Sequence, residues 1–285
     1  MNQRVGLIGK PLKRRHSQVM HDAAFDAAGI AARYVLLELE PDEVEGAVRE
    51  ARRPEWLGLG VTAPYKRMIA QLCDEIDADA ETIGAVNNVA RTASGTLVGF
   101  NTDAPGFQAG VELAMGRSLA GTTVVVAGAG GAAHAVVFAC LRAGARHVTV
   151  GNRAVASAAM LVERFAGIGT GSRSAVALAD PAFEQALRSA DLAVNATTVG
   201  MLDPGETITV DVLPTMATVF DLVYVPAETS LLRAARARGL RAANGSEMLI
   251  QQAAIAFERW TGVAGMAGVM RAAVAPLLAD PAARA

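Results

Sequence analysis

The chain has 285 residues, with 26 Lys and Arg against 28 Asp and Glu and a formal net charge of −2. That length suits one large or two medium domains with real cores, and the near-neutral balance gives no global field for nucleic acid or an anionic membrane. Its two cysteines, Cys73 and Cys140, lie far apart in apolar helical settings and read as buried thiols of a reducing compartment; no Cys/His cluster has metal-ligand spacing, so no metal is expected.

The N-terminal stretch MNQRVGLIGKPLKRR lacks an apolar core of signal-peptide length, which points to the cytoplasm. From there, short β-branched or aliphatic runs alternate with amphipathic stretches, the pattern of an α/β protein with largely parallel sheets. Strands are expected at residues 5–8, 34–39, 57–62, 86–91 and 96–100, and helices near 17–28, 42–51, 64–72 and 78–83. Ser94-Gly95 marks a hairpin turn between the last two strands. A helix starting at Asp103 joins this set to a second. Its strands are expected at 123–127, 148–152, 175–178, 192–195, 218–222 and 241–243, and its helices at 132–142, 154–165, 183–189 and 230–238, with a loop at 167–174. The C-terminal part reads as two helices, 248–261 and 269–278. Two α/β domains follow, with the final helices available to the first. Ser118 to Leu141 carries no formal charge apart from His134 and is long enough to span a bilayer. Gly121, Gly128, Gly130 and Gly131 interrupt any single helix there, so no membrane span is expected.

The most informative stretch is 124–133, VVVAGAGGAA. A β-branched run ends abruptly in Gly128-Ala129-Gly130-Gly131-Ala132-Ala133, fitting G-x-G-x-x-G/A. The first Gly allows the tight turn, the second lets the backbone approach a pyrophosphate, and the third small residue allows close helix–strand packing. The pyrophosphate would sit on the free N–H groups at the helix start. Enzymes that prefer NAD place a carboxylate at the end of the next strand to accept from the ribose 2′-OH. Here that strand ends in Gly151-Asn152-Arg153, and an Arg suits a 2′-phosphate. A charge-assisted bond of this kind favours NADP over NAD by about 10- to 150-fold.

Other candidates are locally ambiguous. Lys66 follows Val61-Thr62-Ala63-Pro64-Tyr65 at a strand end entering a helix; it is either a solvated lysine or a group aimed at a ligand. Asp103, before Ala104-Pro105, is either an N-cap or a carboxylate facing a cleft. Asn87 and Asn101 stand at strand ends, where both ligand contacts and turn chemistry occur. His16, His21, His134 and His147 have no partner at triad-like or metal-like spacing.

Taken together, the segments resemble the shikimate dehydrogenase family along nearly the whole chain. The pieces are Gly9-x-Pro11 with Ser17 and His21; Val61-Thr62-Ala63-Pro64-Tyr65-Lys66; Gly84-Ala85-Val86-Asn87; Gly99-Phe100-Asn101-Thr102-Asp103; the glycine turn; Asn152-Arg153; Asn195-Ala196-Thr197; and Gly245-x-x-Met248-Leu249 with Gln252. The resemblance implies an α/β substrate-binding domain, residues 1–103 plus about 245–285. It also implies a Rossmann-like NADP-binding domain at 104–244, with the C-terminal helices returning to the first domain. The implied reaction is reversible NADPH-dependent reduction of 3-dehydroshikimate to shikimate by a cytoplasmic monomer or homodimer, with no nucleic-acid or membrane partner. By that likeness Lys66 and Asp103 are the catalytic pair, and Ser17, Arg15, Thr62, Asn87, Tyr224 and Gln252 bind substrate. Gly128, Ala129, Gly130, Gly131, Ala132, Asn152, Arg153, Thr197 and Gly245 bind the cofactor.

The chain also departs from the family. Arg15 stands where a first serine is usual, Gln18 where a proline follows the second, Gly60 where Asn is frequent, Asn88 where Thr follows Asn87, and Ala154 where Thr often follows Asn-Arg. Arg15 can bind a carboxylate or crowd the pocket so that another acid is admitted. Two further readings therefore stay open: a paralogue acting on quinate or another cyclic polyol acid, and a catalytically weak NADP-binding regulatory protein.

Overall fold

The computed structural model describes residues 3–12, 14–201 and 205–279. Residues 280–285, part of the expected first domain, lie outside the described residues, as do Met1 and Asn2. The chain divides into two compact units, Met1–Thr102 with Ile250–Leu277, and Asp103–Leu249 with Leu278–Ala285.

The first unit runs β1 (Gln3–Gly9), α1 (His16–Ala27), β2 (Ala32–Glu38), α2 (Val44–Glu50), β3 (Trp56–Val61), α3 (Lys66–Ala70), β4 (Glu75–Ile76), α4 (Ala78–Ile83), β5 (Asn88–Arg91) and β6 (Leu97–Phe100). Its sheet has the order β2-β1-β3-β5-β6-β4. The expected largely parallel arrangement holds only in part, because β5 runs antiparallel to both β3 and β6. The cause is local. Thr92 N–H donates to Thr96 O at 2.9 Å and Gly95 adopts φ +90°, closing a hairpin, which joins only antiparallel strands. Val86 and Asn87, expected within a strand, precede β5. β4 escapes sequence periodicity because it is two residues long; Asp74 and Asp77 N–H groups hold it by donating to Leu97 O and Gly99 O.

One face of this sheet buries Leu59, Val61, Val89 and Leu97 against Val44, Val48, Tyr65 and Ile69. On the opposite face β3 presents Gly58, and a Cβ there would lie 2.1 Å from Val89 O and 2.7 Å from Trp260 Nε1. The missing side chain lets the Trp260 indole lie on the strand and donate to Val89 O at 2.9 Å. His21 on α1 stacks on Tyr34 at 4.5 Å and lies 5.1 Å from the Trp260 ring, while Phe25 meets Phe257 at 5.0 Å. These aromatic contacts hold the C-terminal segment on the first unit.

The second unit comprises α5 (Asp103–Met115), β7 (Thr123–Ala127), α6 (Gly131–Arg142), β8 (His147–Asn152), α7 (Val155–Arg164), β9 (Ser172–Ala177), α8 (Pro181–Leu187), β10 (Leu192–Asn195), β11 (Thr218–Asp221), α9 (Ser230–Ala237) and β12 (Arg241–Asn244). Then come α10 (Ser246–Thr261), which crosses between the units, and α11 (Ala267–Ala279). All strands here are parallel, in the order β12-β11-β10-β7-β8-β9. Counted from β7, this is the doubly wound order of dinucleotide-binding sheets, whose direction of winding reverses between β7 and β10. β7 is fully buried, as a central strand covered on both faces must be. β9 begins at Ser172, inside the expected loop. Its serines mimic a loop in composition, but the ladder from His147↔Ser172 to Asn152↔Ala177 makes it an edge strand.

His21 offers a test of the first core. Burial pushes its imidazole down to about 3, and Nδ1 has no hydrogen-bond partner among the described residues. The unfolded chain takes up a proton there from about pH 6.5 downward, so the stability held above that pH is lost as pH falls toward 3. His21→Phe keeps a ring on Tyr34 without the titration. Between pH 6.5 and 5 the wild type should lose about 1.5 kcal/mol more than this variant in denaturant unfolding; equal losses would show that the native imidazole protonates freely.

Candidate functional site

In the second unit, the turn after β7 has the properties expected of a phosphate cradle. Gly128 adopts φ +110°, and a Cβ there would meet Ala196 C and O at 3.0 Å, so the turn requires glycine. Beyond it the backbone is open: a Cβ on Gly130 or Gly131 meets nothing within 4 Å, and Gly130, Gly131 and Ala132 are exposed. Ala133, the third small residue, is fully buried. No side chain caps α6 and no acid occupies its first turn, so the positive end of the helix faces outward uncancelled. The parallel register Ala127↔Gly151, with Gly128 N–H donating to Gly151 O at 2.7 Å, brings the end of β8 beside this turn. There Asn152 Nδ2 donates to Ala154 O at 3.0 Å and Arg153 is exposed.

The loops after β10 and β11 are tied together below this edge. Thr197 N–H and Oγ1 donate to Asn195 Oδ1 at 3.1 and 2.7 Å, and Asn195 Nδ2 donates to Asp221 Oδ1 at 2.9 Å. Asp221 also accepts from Val223 N–H at 3.0 Å and from Thr229 Oγ1 at 2.7 Å. Burial raises the Asp221 carboxyl above its ordinary range, while these donors act the other way. One buried carboxylate thus sets Thr197, the loop carrying Tyr224 and the start of α9. Gly245 is required nearby for close approach, since a Cβ would lie 2.3 Å from Leu222 O.

In the first unit, Thr62 follows β3, its N–H donating to Ile8 O at 2.9 Å, and half-buried Lys66 opens α3. Asn87 and Gln252 meet on one hydroxyl: Asn87 Nδ2 donates to Thr102 Oγ1 at 3.1 Å, and Thr102 Oγ1 donates to Gln252 Oε1 at 3.3 Å. Thr102 N–H and Asn88 Nδ2 donate to Asn87 Oδ1 at 2.8 and 2.9 Å, which fixes the orientation of the Asn87 amide. Asn101 Nδ2 donates to Ala85 O at 2.9 Å, the turn role weighed for it. Ser17 is half-buried on α1, and Arg15, exposed at the helix start, donates through Nε to Gln18 Oε1 at 2.8 Å. Asp103 is the first residue of α5 and therefore belongs to the second unit, whereas Lys66 belongs to the first.

Sequence reasoning passed over Thr102 and Asp221 and saw Asn88 only as a departure. Asp221 carried a usable signal: a lone carboxylate ending the aliphatic strand Val219-Phe220. Among the described residues no group of three His, Cys, Asp or Glu could hold a metal ion, and no helix is long and apolar enough to cross a membrane.

Comparison with known proteins agrees on one family. The family model described as shikimate dehydrogenase substrate binding domain matches residues 7–89, shikimate / quinate 5-dehydrogenase matches 111–201, and shikimate 5′-dehydrogenase C-terminal domain matches 245–275. A shikimate dehydrogenase (NADP(+)) of Methanopyrus kandleri is 42% identical over 274 residues, 95% of this chain and 94% of that one. The chain belongs to the shikimate dehydrogenase family. Its fold is also that of solved family members. The Thermus thermophilus shikimate 5-dehydrogenase in complex with NADP(H) and shikimate superposes with a TM-score of 0.85 at 36% identity, covering 96% of this chain and 99% of that one. A quinate dehydrogenase from Corynebacterium glutamicum in complex with NAD gives 0.89 at 32% identity, with 96% and 99% covered. In this family the first unit is the substrate-binding domain and the second the Rossmann-like NADP-binding domain.

The open turn makes a sharp prediction. Gly130→Asp has room for its side chain but places a carboxylate at the α6 start, where it would oppose a pyrophosphate. NADPH affinity, read by its fluorescence, should fall about tenfold or more with the unfolding midpoint little changed. Unchanged affinity would remove the phosphate role from this turn.

Proposed function

We propose that the chain catalyses the reversible NADPH-dependent reduction of 3-dehydroshikimate to shikimate. The observation that carries this reading is the open glycine turn beside a strand end with Arg153 and no carboxylate, in a chain alike along its length to NADP-dependent shikimate dehydrogenases. NADP fits the residues present: the turn from Gly128 to Ala132 takes the pyrophosphate, Asn152 and Arg153 the 2′-phosphate, and Thr197 and Gly245 complete the cofactor's surroundings. When bound, the reduced nicotinamide supplies a hydride to the ketone carbon.

The protein's own chemistry concerns the oxygen. Adding hydride to a ketone leaves negative charge there, which needs a proton and a nearby cation. The Lys66 ammonium supplies both, and the Asp103 carboxylate accepts from a neighbouring substrate hydroxyl. Asn87 and Gln252, held by Thr102, present fixed amides to the ring hydroxyls. Thr62, Ser17, Arg15 and Tyr224 bind the remaining hydroxyls and the carboxylate. The enzyme works in the cytoplasm, a reading supported by cysteines that are both free and pushed by burial to about 11 and 12, away from reactivity.

A second reading, oxidation of quinate, has its own support in the likeness to the Corynebacterium glutamicum quinate dehydrogenase and in the departures at Arg15, Gln18 and Gly60. Purified protein with NADP, followed at 340 nm, should turn over shikimate; turnover of quinate alone would select the second reading, and of neither acid the regulatory one. Lys66→Ala should lower kcat by about 10²- to 10⁴-fold with NADPH binding intact, and an unchanged rate would disqualify it as proton donor. Arg153→Ala should raise KM for NADP about tenfold or more while leaving NAD alone. Equal shifts would make Arg153 structural.

A further inference from the structure

Asn88 stands where the family has Thr after Asn87, and the two side chains differ in how often they can donate. A threonine hydroxyl donates once, whereas an amide nitrogen donates twice. Asn88 opens β5 and is 3% exposed. It pairs in register with Gly60 on β3 and Phe100 on β6, so neither cross-strand partner has a polar side chain to divert its amide. Both hydrogens of Asn88 Nδ2 go to its neighbours, one to Asn87 Oδ1 at 2.9 Å and the other to Thr102 Oγ1 at 2.8 Å.

These two bonds complete the count on both acceptors. Asn87 Oδ1 has two lone pairs, and the second takes Thr102 N–H at 2.8 Å. Thr102 Oγ1 also has two, and the second takes Asn87 Nδ2 at 3.1 Å. The Thr102 hydroxyl hydrogen then goes to Gln252 Oε1 at 3.3 Å. The polarity of the whole network follows. Asn87, its carbonyl saturated, meets any further group through N–H. Gln252 turns its carbonyl toward Thr102, which puts Nε2 at the other end of the amide. A reversed Asn87 amide would set its NH₂ group against the donors of both Thr102 and Asn88. Asn87, Asn88 and Thr102 are 4%, 3% and 1% exposed, and opposed donors in such an interior are expensive. With Thr at position 88 only one of the two bonds could form, and an acceptor on Asn87 or on Thr102 would stand open.

We propose that Asn88 is a positioning residue that sets the hydrogen-bond polarity of the substrate pocket. By holding Asn87 and Gln252 as N–H donors, it selects ring substituents that accept hydrogen bonds and excludes those that only donate. This rests on the proposed reduction of a cyclic acid, in which those two amides meet the ring hydroxyls. A hydroxyl held through its oxygen keeps its own hydrogen for the Asp103 carboxylate, whereas an ammonium in its place sets donors against donors.

Kinetics of wild type, Asn88→Ala and Asn88→Thr test it, with shikimate and with amino analogues in which each non-reacting ring hydroxyl in turn is replaced by ammonium. Wild type should favour shikimate over at least one analogue by about 10²-fold in kcat/KM. Asn88→Ala, which lets the Asn87 amide turn, should raise KM for shikimate about tenfold, with kcat within about threefold and KM for NADP unchanged. It should also shrink the preference over that analogue about tenfold. Asn88→Thr keeps the volume and restores one of the two bonds, so it should fall between wild type and Asn88→Ala on both measures; should Asn88→Ala not fold, Asn88→Thr decides by the same readouts. In an active wild type, an unchanged KM for shikimate in the variants would overturn this proposal alone. So would a raised KM with the preference intact, the pattern of a merely structural residue, or a wild type that takes every amino analogue as readily as shikimate. A wild type that turns over neither shikimate nor quinate would overturn the functional reading and this proposal with it.

Discussion

The parallel pairing of β7 with β8 and β10 is the constraint on which the second unit depends. Parallel strands require a crossover between each pair, so every strand re-enters from the same side and every following loop emerges at one edge. That topology gathers the glycine turn, Asn152-Arg153, Thr197, the Tyr224 loop and Gly245 at one edge, although they span more than a hundred residues of chain. The fully buried β7 anchors this edge, and the reversal of winding between β7 and β10 opens the crevice in which dinucleotide-binding sheets hold their ligand.

Edges assembled from loops need stiffening, and both units use buried polar groups for it. Asp221 accepts from three donors on three segments, and Thr102 joins Asn87, Asn88 and Gln252. Such networks stabilise little in net terms when complete, but an unpaired member in a low-dielectric interior is expensive, so alternative loop arrangements are disfavoured. The gain is pre-organisation, which a site for hydride transfer requires because ring and carbonyl must be aligned before reaction.

The first unit works by omission. Gly58 and Gly60 strip two side chains from one face of β3, and Trp260 and the Tyr34 phenol fill the space. Packing of Trp260 on Gly58 brings α10, and with it Gln252, onto the first sheet. A tyrosine hydroxyl from another strand thus occupies the volume that a side chain at position 60 would need.

Much of the architecture was legible because it is encoded locally. The Val124–Val126 run followed by glycines declares a strand, a turn and a helix start, and Asn152-Arg153, a strand end with a guanidinium and no carboxylate, raised the expectation of NADP by charge alone. The Ser94-Gly95 hairpin was legible too, but its consequence, an antiparallel β5 in an otherwise parallel setting, depends on pairing. β9 was expected to begin three residues later, at 175, because its serines look like loop and only the ladder with β8 makes them strand. Short motifs announced Lys66, Asp103, Asn87 and Gln252 as residue types. What only the tertiary structure decided was partnership: that Asp221 ties Thr197 to the next loop, that Thr102 orients Asn87, and that Asn88 donates to both Asn87 and Thr102. Local sequence determines backbone preference and the chemistry of each side chain, whereas a hydrogen bond or a shared volume depends on which distant strand lies alongside, and the assembled sheet alone settles that.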